Sequence, residues 1–177
     1  MRLATCLVLA IGLVSCGGGP RGPVVTPDPE TTTNRLVVRV DEESKISVRE
    51  SGAILWSQGT PARIDDRGRV TDRWGKLLAW LHKDNIRLRG GASIPIRTGT
   101  GGEIFLSHKA QREAGLKVVE VRVYQDGSIA AGEGRVSTMS IESKNSPENR
   151  QLALLVLFMM YNGMLDEAAN PEPRDAL

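Results

Sequence analysis

From position 35 to about 141, short apolar runs alternate with polar residues and are cut at brief intervals by glycine turns. Leu36-Val37-Val38-Arg39-Val40 is the first run, and Lys45-Ile46-Ser47-Val48-Arg49 alternates cleanly. Ala53 to Trp56, Asn85 to Arg89, Ser93 to Arg97, Glu103 to Leu106, Val118 to Tyr124, Gly127 to Ile129 and Arg135 to Ile141 follow. Between them stand Ser51-Gly52, Gly59, Asp65-Asp66-Arg67-Gly68, Asp72-Arg73-Trp74-Gly75, Gly90-Gly91, Gly101-Gly102, Asp126-Gly127 and Gly132. A period of two in short runs bounded by such turns predicts a meander of hairpins. The expected fold class is mainly β, with a strongly curved or barrel-like sheet. Pro95, in mid-run, implies an edge or a bulge, because it cannot donate to a ladder. Trp74, Leu77, Leu78 and Leu81 have helical spacing behind a possible Thr71 cap. Gly75 interrupts them, and the Asp-Arg-x-Gly turn echoes the one before it. The reading taken for Trp74–Lys83 is a hairpin and then a buried strand, with a helix as the alternative.

The pattern changes near the end of the chain. Ser146-Pro147 is a helix start, with serine as cap and proline at the first helical position. Ten apolar residues in succession follow, Leu152 to Tyr161, and only Val156 among them is β-branched. Leucine, methionine and alanine favour helix, so a helix is expected over about 147–168. It is apolar on every face, and such a helix must be surrounded. The 14 residues from Leu152 to Leu165 rise only about 21 Å, short of the ~30 Å hydrocarbon core of a bilayer. Protein is therefore the expected surrounding, either a closed sheet or a sheet together with a partner chain. Leu152, Leu154, Leu155, Leu157, Phe158 and Met159 are the expected core of this helix.

Turn-rich hairpins such as Ile64-Asp65-Asp66-Arg67-Gly68-Arg69-Val70, followed by the Leu152–Leu165 helix, resemble the tubby C-terminal-like group. That group includes the phospholipid scramblases and the LURP-one-related proteins. The resemblance covers Arg35 to about Ala169 and implies a barrel of hairpins around a central hydrophobic helix, with lipid handling as a function. The region is short for the full barrel of that group. It has no cysteine cluster for palmitoylation, no acidic calcium loop and no alignable Lys/Arg phosphoinositide pair, so no ligand residues follow.

The opening segment has a different logic. Arg2 gives one positive charge, and Leu3 to Val14 are twelve uncharged residues, the n-region and h-region of a secretory signal. Leu13-Val14-Ser15-Cys16, followed by three glycines, resembles the lipobox of bacterial lipoprotein precursors. The resemblance implies a signal peptide over 1–15 and a Cys16 that takes a diacylglycerol thioether and becomes the first mature residue. More than one acyl chain anchors firmly. Gly17 in the second mature position, where an Asp is absent, implies sorting to the outer membrane, facing the periplasm. An ordinary cleaved signal with an incidental Cys16 is the alternative. Residues 16–34 hold four prolines and a threonine run and are expected to be a semi-extended tether reaching ~50 Å. The domain is expected over 35–169, with a disordered tail over 170–177.

Composition narrows the remaining choices. Cys6 and Cys16, the only cysteines, both lie in the opening segment, so the domain holds no internal disulfide. Between positions 35 and 150 there are 20 Lys and Arg against 15 Asp and Glu. The fourteen arginines are scattered among acids, which reads as a solvated face, with a phosphate- or headgroup-binding patch as the minority reading. Aromatics make up 4% of the chain, too few for base stacking, so a nucleic-acid partner is not expected.

The chain contains no G-x-S-x-G, P-loop, G-x-G-x-x-G or H-E-x-x-H motif. Gly99-Thr100-Gly101-Gly102 lacks the Lys-Ser/Thr of a phosphate loop and reads as a turn. His82 and His108 are single histidines, whereas a metal site needs three or four converging ligands. Asp65-Asp66 is explained by turn chemistry. Arg89-Gly90-Gly91 is one triplet, too little for an RNA-binding segment. The expectation is a lipid-anchored cell-envelope protein, not an enzyme, without cofactor or metal. Its domain would bind an envelope lipid, glycan or protein. The alternatives are a scramblase-like lipid-handling module and an envelope hydrolase using His82 or His108.

Overall fold

The computed structural model describes residues 33–56, 59–132 and 138–169. The signal peptide, Cys16, most of the tether, the tail and part of the expected strand from Arg135 lie outside these residues. Twelve strands follow one another in the chain: β1 (Asn34–Arg39), β2 (Lys45–Arg49), β3 (Ala53–Trp56), β4 (Gly59–Ile64), β5 (Arg69–Asp72), β6 (Leu77–His82), β7 (Asn85–Leu88), β8 (Ser93–Thr98), β9 (Ile104–Leu106), β10 (Val121–Val123), β11 (Ile129–Ala131) and β12 (Ser140–Ile141). A short helix, α1 (His108–Glu113), separates β9 from β10, and α2 (Pro147–Tyr161) and α3 (Met164–Ala169) come last. Each strand pairs antiparallel with its sequence neighbour from β1 to β11, and β12 adds to the free edge of β1. The two ends then meet. Ile129 N–H donates to the Met139 carbonyl at 3.2 Å, and Ile141 N–H to that of Gly127 at 2.8 Å. The sheet is an antiparallel barrel, nearly closed. Strands of two to six residues are how twelve of them fit in so short a region.

Alternation decides which side chains fill the barrel. Leu36, Val38, Ile46, Val48, Ile54, Ala62, Val70, Ala79, Ile86, Ile94 and Leu106 are wholly buried. Their strand neighbours, such as Arg39, Lys45, Arg63, Arg69 and Arg87, are exposed. The inward row would leave a void if nothing filled it, and α2 fills it. Leu152 is 2% exposed, and Leu154, Leu155, Leu157, Phe158 and Met159 are 0% exposed. Fully burying each such side chain contributes about 1.5–3 kcal/mol.

Polar groups in the first turn of α2 fix it to one rim. Ser146 Oγ accepts from Asn149 N–H at 3.2 Å, and the Asn149 amide donates to the carbonyls of Arg35 (3.1 Å) and Lys144 (2.7 Å). Arg150 reaches the Gly102 carbonyl at 3.2 Å, and Gln151 reaches Asp84 at 3.1 Å. Asn34 pairs with Arg49 at this same rim, so the chain enters the barrel where α2 does. The expected single helix over 147–168 is corrected. It breaks after Tyr161, where the Asn162 amide bonds back to the Phe158 carbonyl at 3.0 Å and Gly163 takes φ +70°. That left-handed step turns α3 across the opposite rim, where Trp56 Nε1 donates to Asp166 at 2.9 Å.

Other expectations meet the structure unevenly. Leu77–His82 is a strand, as read, but Ala79 alone in it is fully buried. The Val118–Tyr124 strand shrinks to Val121–Val123. Helix α1 was not anticipated. Ser107 caps it, accepting from Ala110 N–H at 3.4 Å, and its buried Gln111 accepts from Val119 N–H at 2.7 Å. Pro95 sits in an interior strand with its missing donor turned toward Ser107. The Ser107 carbonyl there accepts from Gln111 N–H instead, and Ser107 N–H donates to the Pro95 carbonyl at 2.9 Å. The proline stands where pairing with β9 has just ended.

One hairpin device recurs. At Asp65–Gly68, Asp72–Gly75, Leu88–Gly91, Gly99–Gly102 and Tyr124–Gly127 the glycine N–H donates to the carbonyl three residues earlier. Every one of these glycines has positive φ. They differ in surroundings: a Cβ on Gly68 would stand 2.3 Å from the Leu81 carbonyl oxygen, whereas one on Gly75 meets nothing within 4 Å. Gly75→Ala is expected to lose about 1–2 kcal/mol from backbone strain alone. Gly68→Ala is expected to lose clearly more, and chemical denaturation of both variants checks the order. Leu155→Asp is expected to abolish cooperative unfolding, or to cost at least ~4 kcal/mol, by placing a charge in the dry interior. Near-native thermal stability of that variant would contradict the role given to α2.

Candidate functional site

With the interior full, the polar chemistry lies on the outer wall and the rims. Register places Arg69, Trp80 and Arg87 directly opposite one another on β5, β6 and β7. Trp80 Nε1 donates to the Arg67 carbonyl at 2.7 Å, which fixes the ring. The Arg87 guanidinium lies 5.6 Å from the ring centroid, and the His82 ring lies 4.9 Å away. A second row, Arg97, Phe105 and Arg122, crosses β8, β9 and β10, with Arg122 5.2 Å from the Phe105 ring. Arg69 is paired with Asp65 and Arg122 with Glu103. Beside β4 and β5 a shallow groove of about 670 Å³ collects Arg35, Arg63 and Arg69, but also Glu50, Asp65 and Asp66. Its charges balance, and Arg63 is already donating to the Ser51 carbonyl.

At the rim under α3 lies a smaller groove of about 260 Å³, lined by Leu77, Leu78, Leu88, Met164 and Ala168, with Lys76 and Arg89 at its edge. Trp74 also lines it. At 54% exposure, Trp74 is the exposed large apolar side chain among the described residues. Its turn is rigid: Asp72, itself buried, accepts from Trp74 N–H at 2.9 Å and Lys76 N–H at 2.8 Å. The Arg73 guanidinium lies 4.1 Å from the Trp74 ring centroid.

The residues singled out in the sequence do not converge. His82 is on β6 and His108 opens α1, and neither imidazole is hydrogen-bonded to a carboxylate among the described residues. Asp65 is committed to its turn. The Arg69 backbone N–H chiefly holds its carboxyl below the ordinary range against the cost of burial, and the Arg69 guanidinium and Arg67 N–H add to it. The glycines at 99–102 form a turn in which Gly101 N–H already donates to Glu103 at 3.0 Å, so a carboxylate takes the place an anion would use. No group of three His, Cys, Asp or Glu side chains gathers as metal ligands among the described residues. None of the described helices is long and apolar enough to cross a membrane. Cys16 is outside the described residues. The mouth groove was missed because its residues come from three distant segments. The Asp-x-x-Gly turn that presents Trp74 was the available signal.

No family model, curated protein or solved structure matches the chain.

Beside the closing bonds, one carboxylate ties β12 to β1 and β2. Glu142 N–H donates to the Val37 carbonyl at 2.8 Å, continuing β12 along β1. Its side chain accepts from Lys45 at 2.7 Å and from Arg39 Nε at 2.6 Å. These bonds, Lys45 first and Arg39 next, hold the Glu142 carboxyl below the usual range. A carboxyl depressed in the folded state stabilises fully above its unfolded pKa, and that contribution is lost as pH falls through the folded value. Glu142→Gln is therefore expected to lower Tm at pH 7, with the gap to wild type closing below about pH 4. A gap constant with pH would show that the ion pairs do not hold the seam.

Proposed function

We propose that this chain is a lipid-anchored protein of the cell envelope whose domain is a non-enzymatic binding or structural module. The observation that carries the reading is the placement of its chemistry. α2 occupies the barrel interior with apolar side chains, and the cationic groups stand on the outside with Trp74, Trp80 and Phe105. A module built this way meets its partner across its wall or rim. The partner would be an envelope lipid, glycan or protein. The lipobox supports attachment through Cys16, with the outer membrane and its periplasmic face as the location. The chain enters the barrel at the rim where α2 starts, so a tether on residues 16–34 leaves the α3 rim pointing away from the anchor.

The enclosed helix also favours a second reading, because a hairpin barrel around a hydrophobic helix is what the scramblase and tubby-like resemblance implies. On that reading the arginines of the outer wall would contact lipid headgroups. Cys16→Ala is expected to move the full chain out of the membrane fraction after a high-salt wash. Full retention of the variant in membranes would overturn the anchor.

A further inference from the structure

We infer that the groove at the α3 rim takes a single alkyl chain bearing an acidic head group. This deepens the binding-module reading and rests on it for the location of the ligand, not for the geometry. The groove is concave and apolar at its base, where Leu77, Leu78, Leu88, Met164 and Ala168 meet. Binding sites typically combine such a base with a few placed polar groups. Its volume of about 260 Å³ equals roughly nine waters at ~30 Å³ each. That accommodates a short alkyl segment and is too small for a diacyl lipid.

Charge selects the head group. Lys76 and Arg89 stand at the edge, and neither enters an ion pair with any described residue. Arg73 lies next to them over Trp74. Of the two acids in the lining, Asp72 is turned inward onto the N–H groups of its own turn, and Glu167 belongs to α3, on the helix side of the groove. With Arg73 the cations around the groove outnumber its two acids, and Lys76 and Arg89, unpaired among the described residues, would hold an acid at the end of an alkyl chain. Trp74 provides a broad apolar wall whose exposure to water is otherwise costly. The Asp72 turn holds its backbone, and the Arg73 guanidinium lies against its ring.

The experiment uses the full chain reconstituted in neutral zwitterionic vesicles. The probes are a photoactivatable twelve-carbon fatty acid, the alcohol of equal length and a trimethylammonium amphiphile of equal length, with labelled peptides mapped by mass spectrometry. The acid is expected to label saturably around Trp74, Leu78, Leu88 and Met164, and unlabelled acid should compete. Lys76→Gln/Arg89→Gln is expected to lower labelling by the acid at least fivefold and leave the alcohol unchanged. Trp74→Ala should weaken both. These are surface changes that leave the core intact, and a thermal melt of each variant confirms it. Equal labelling by acid and ammonium probes, or labelling spread over the outer wall, would overturn the proposal. Flotation of the same vesicles reads the anchor separately, so a floating chain without groove labelling sinks this inference alone.

Discussion

A helix with no polar face cannot rest on a sheet, because whichever side is left over meets water. That constraint on α2 organises the whole molecule. Ten apolar residues around nearly three turns need cover on all sides, and within one chain the available cover is a sheet bent through a full circle. The hairpins supply the curvature, and β11 and β12 supply the closure. The burial of Leu154, Leu155, Leu157 and Phe158 and the nearly closed ladder are therefore one fact seen from two sides.

The same constraint explains where chemistry is excluded. A barrel emptied of its helix could hold a ligand in its lumen, whereas one filled by leucine and phenylalanine cannot. Polar function is displaced to the exterior, where ion pairs are weak and screened and many arginines are already spoken for by carbonyls, carboxylates or rings. The mouth under α3 differs from the wall. There the helix ends, Gly163 turns the chain aside, and apolar side chains are left facing an opening beside cations that are unpaired among the described residues.

Much of this was legible in the sequence because two periodicities were unusually clean. Alternation in Lys45–Arg49 and the unbroken Leu152–Tyr161 run fixed strand and helix, and together they required enclosure. The Asp-x-x-Gly spacing placed the turns. What could not be read was set by contacts across the fold. Helix α1 is only six residues long and is held by Gln111 bonding to Val119, eight residues on, a side-chain bond that no hydrophobic pattern shows. The break at Asn162-Gly163 was masked by the apolar residues that continue past it in Met164 and Leu165. Trp74 was read in its turn, but the turn's sequence does not show which surface the ring will face. The mouth groove joins positions 74–78, 88–90 and 164–168, which are adjacent only after the barrel closes.

The connectivity has a consequence for the order of events. The strands are met in sequence, each beside its predecessor, but the body they must pack against is the last segment of the chain. A polypeptide delivered from its N-terminus has all twelve described strands available before it has a core, and short strands without a core are not stable. Folding must wait for α2, which makes assembly a single late step and leaves the emerging chain extended until its end is free. The strands stay uncommitted until their core arrives, and that delay is written into the order of the elements.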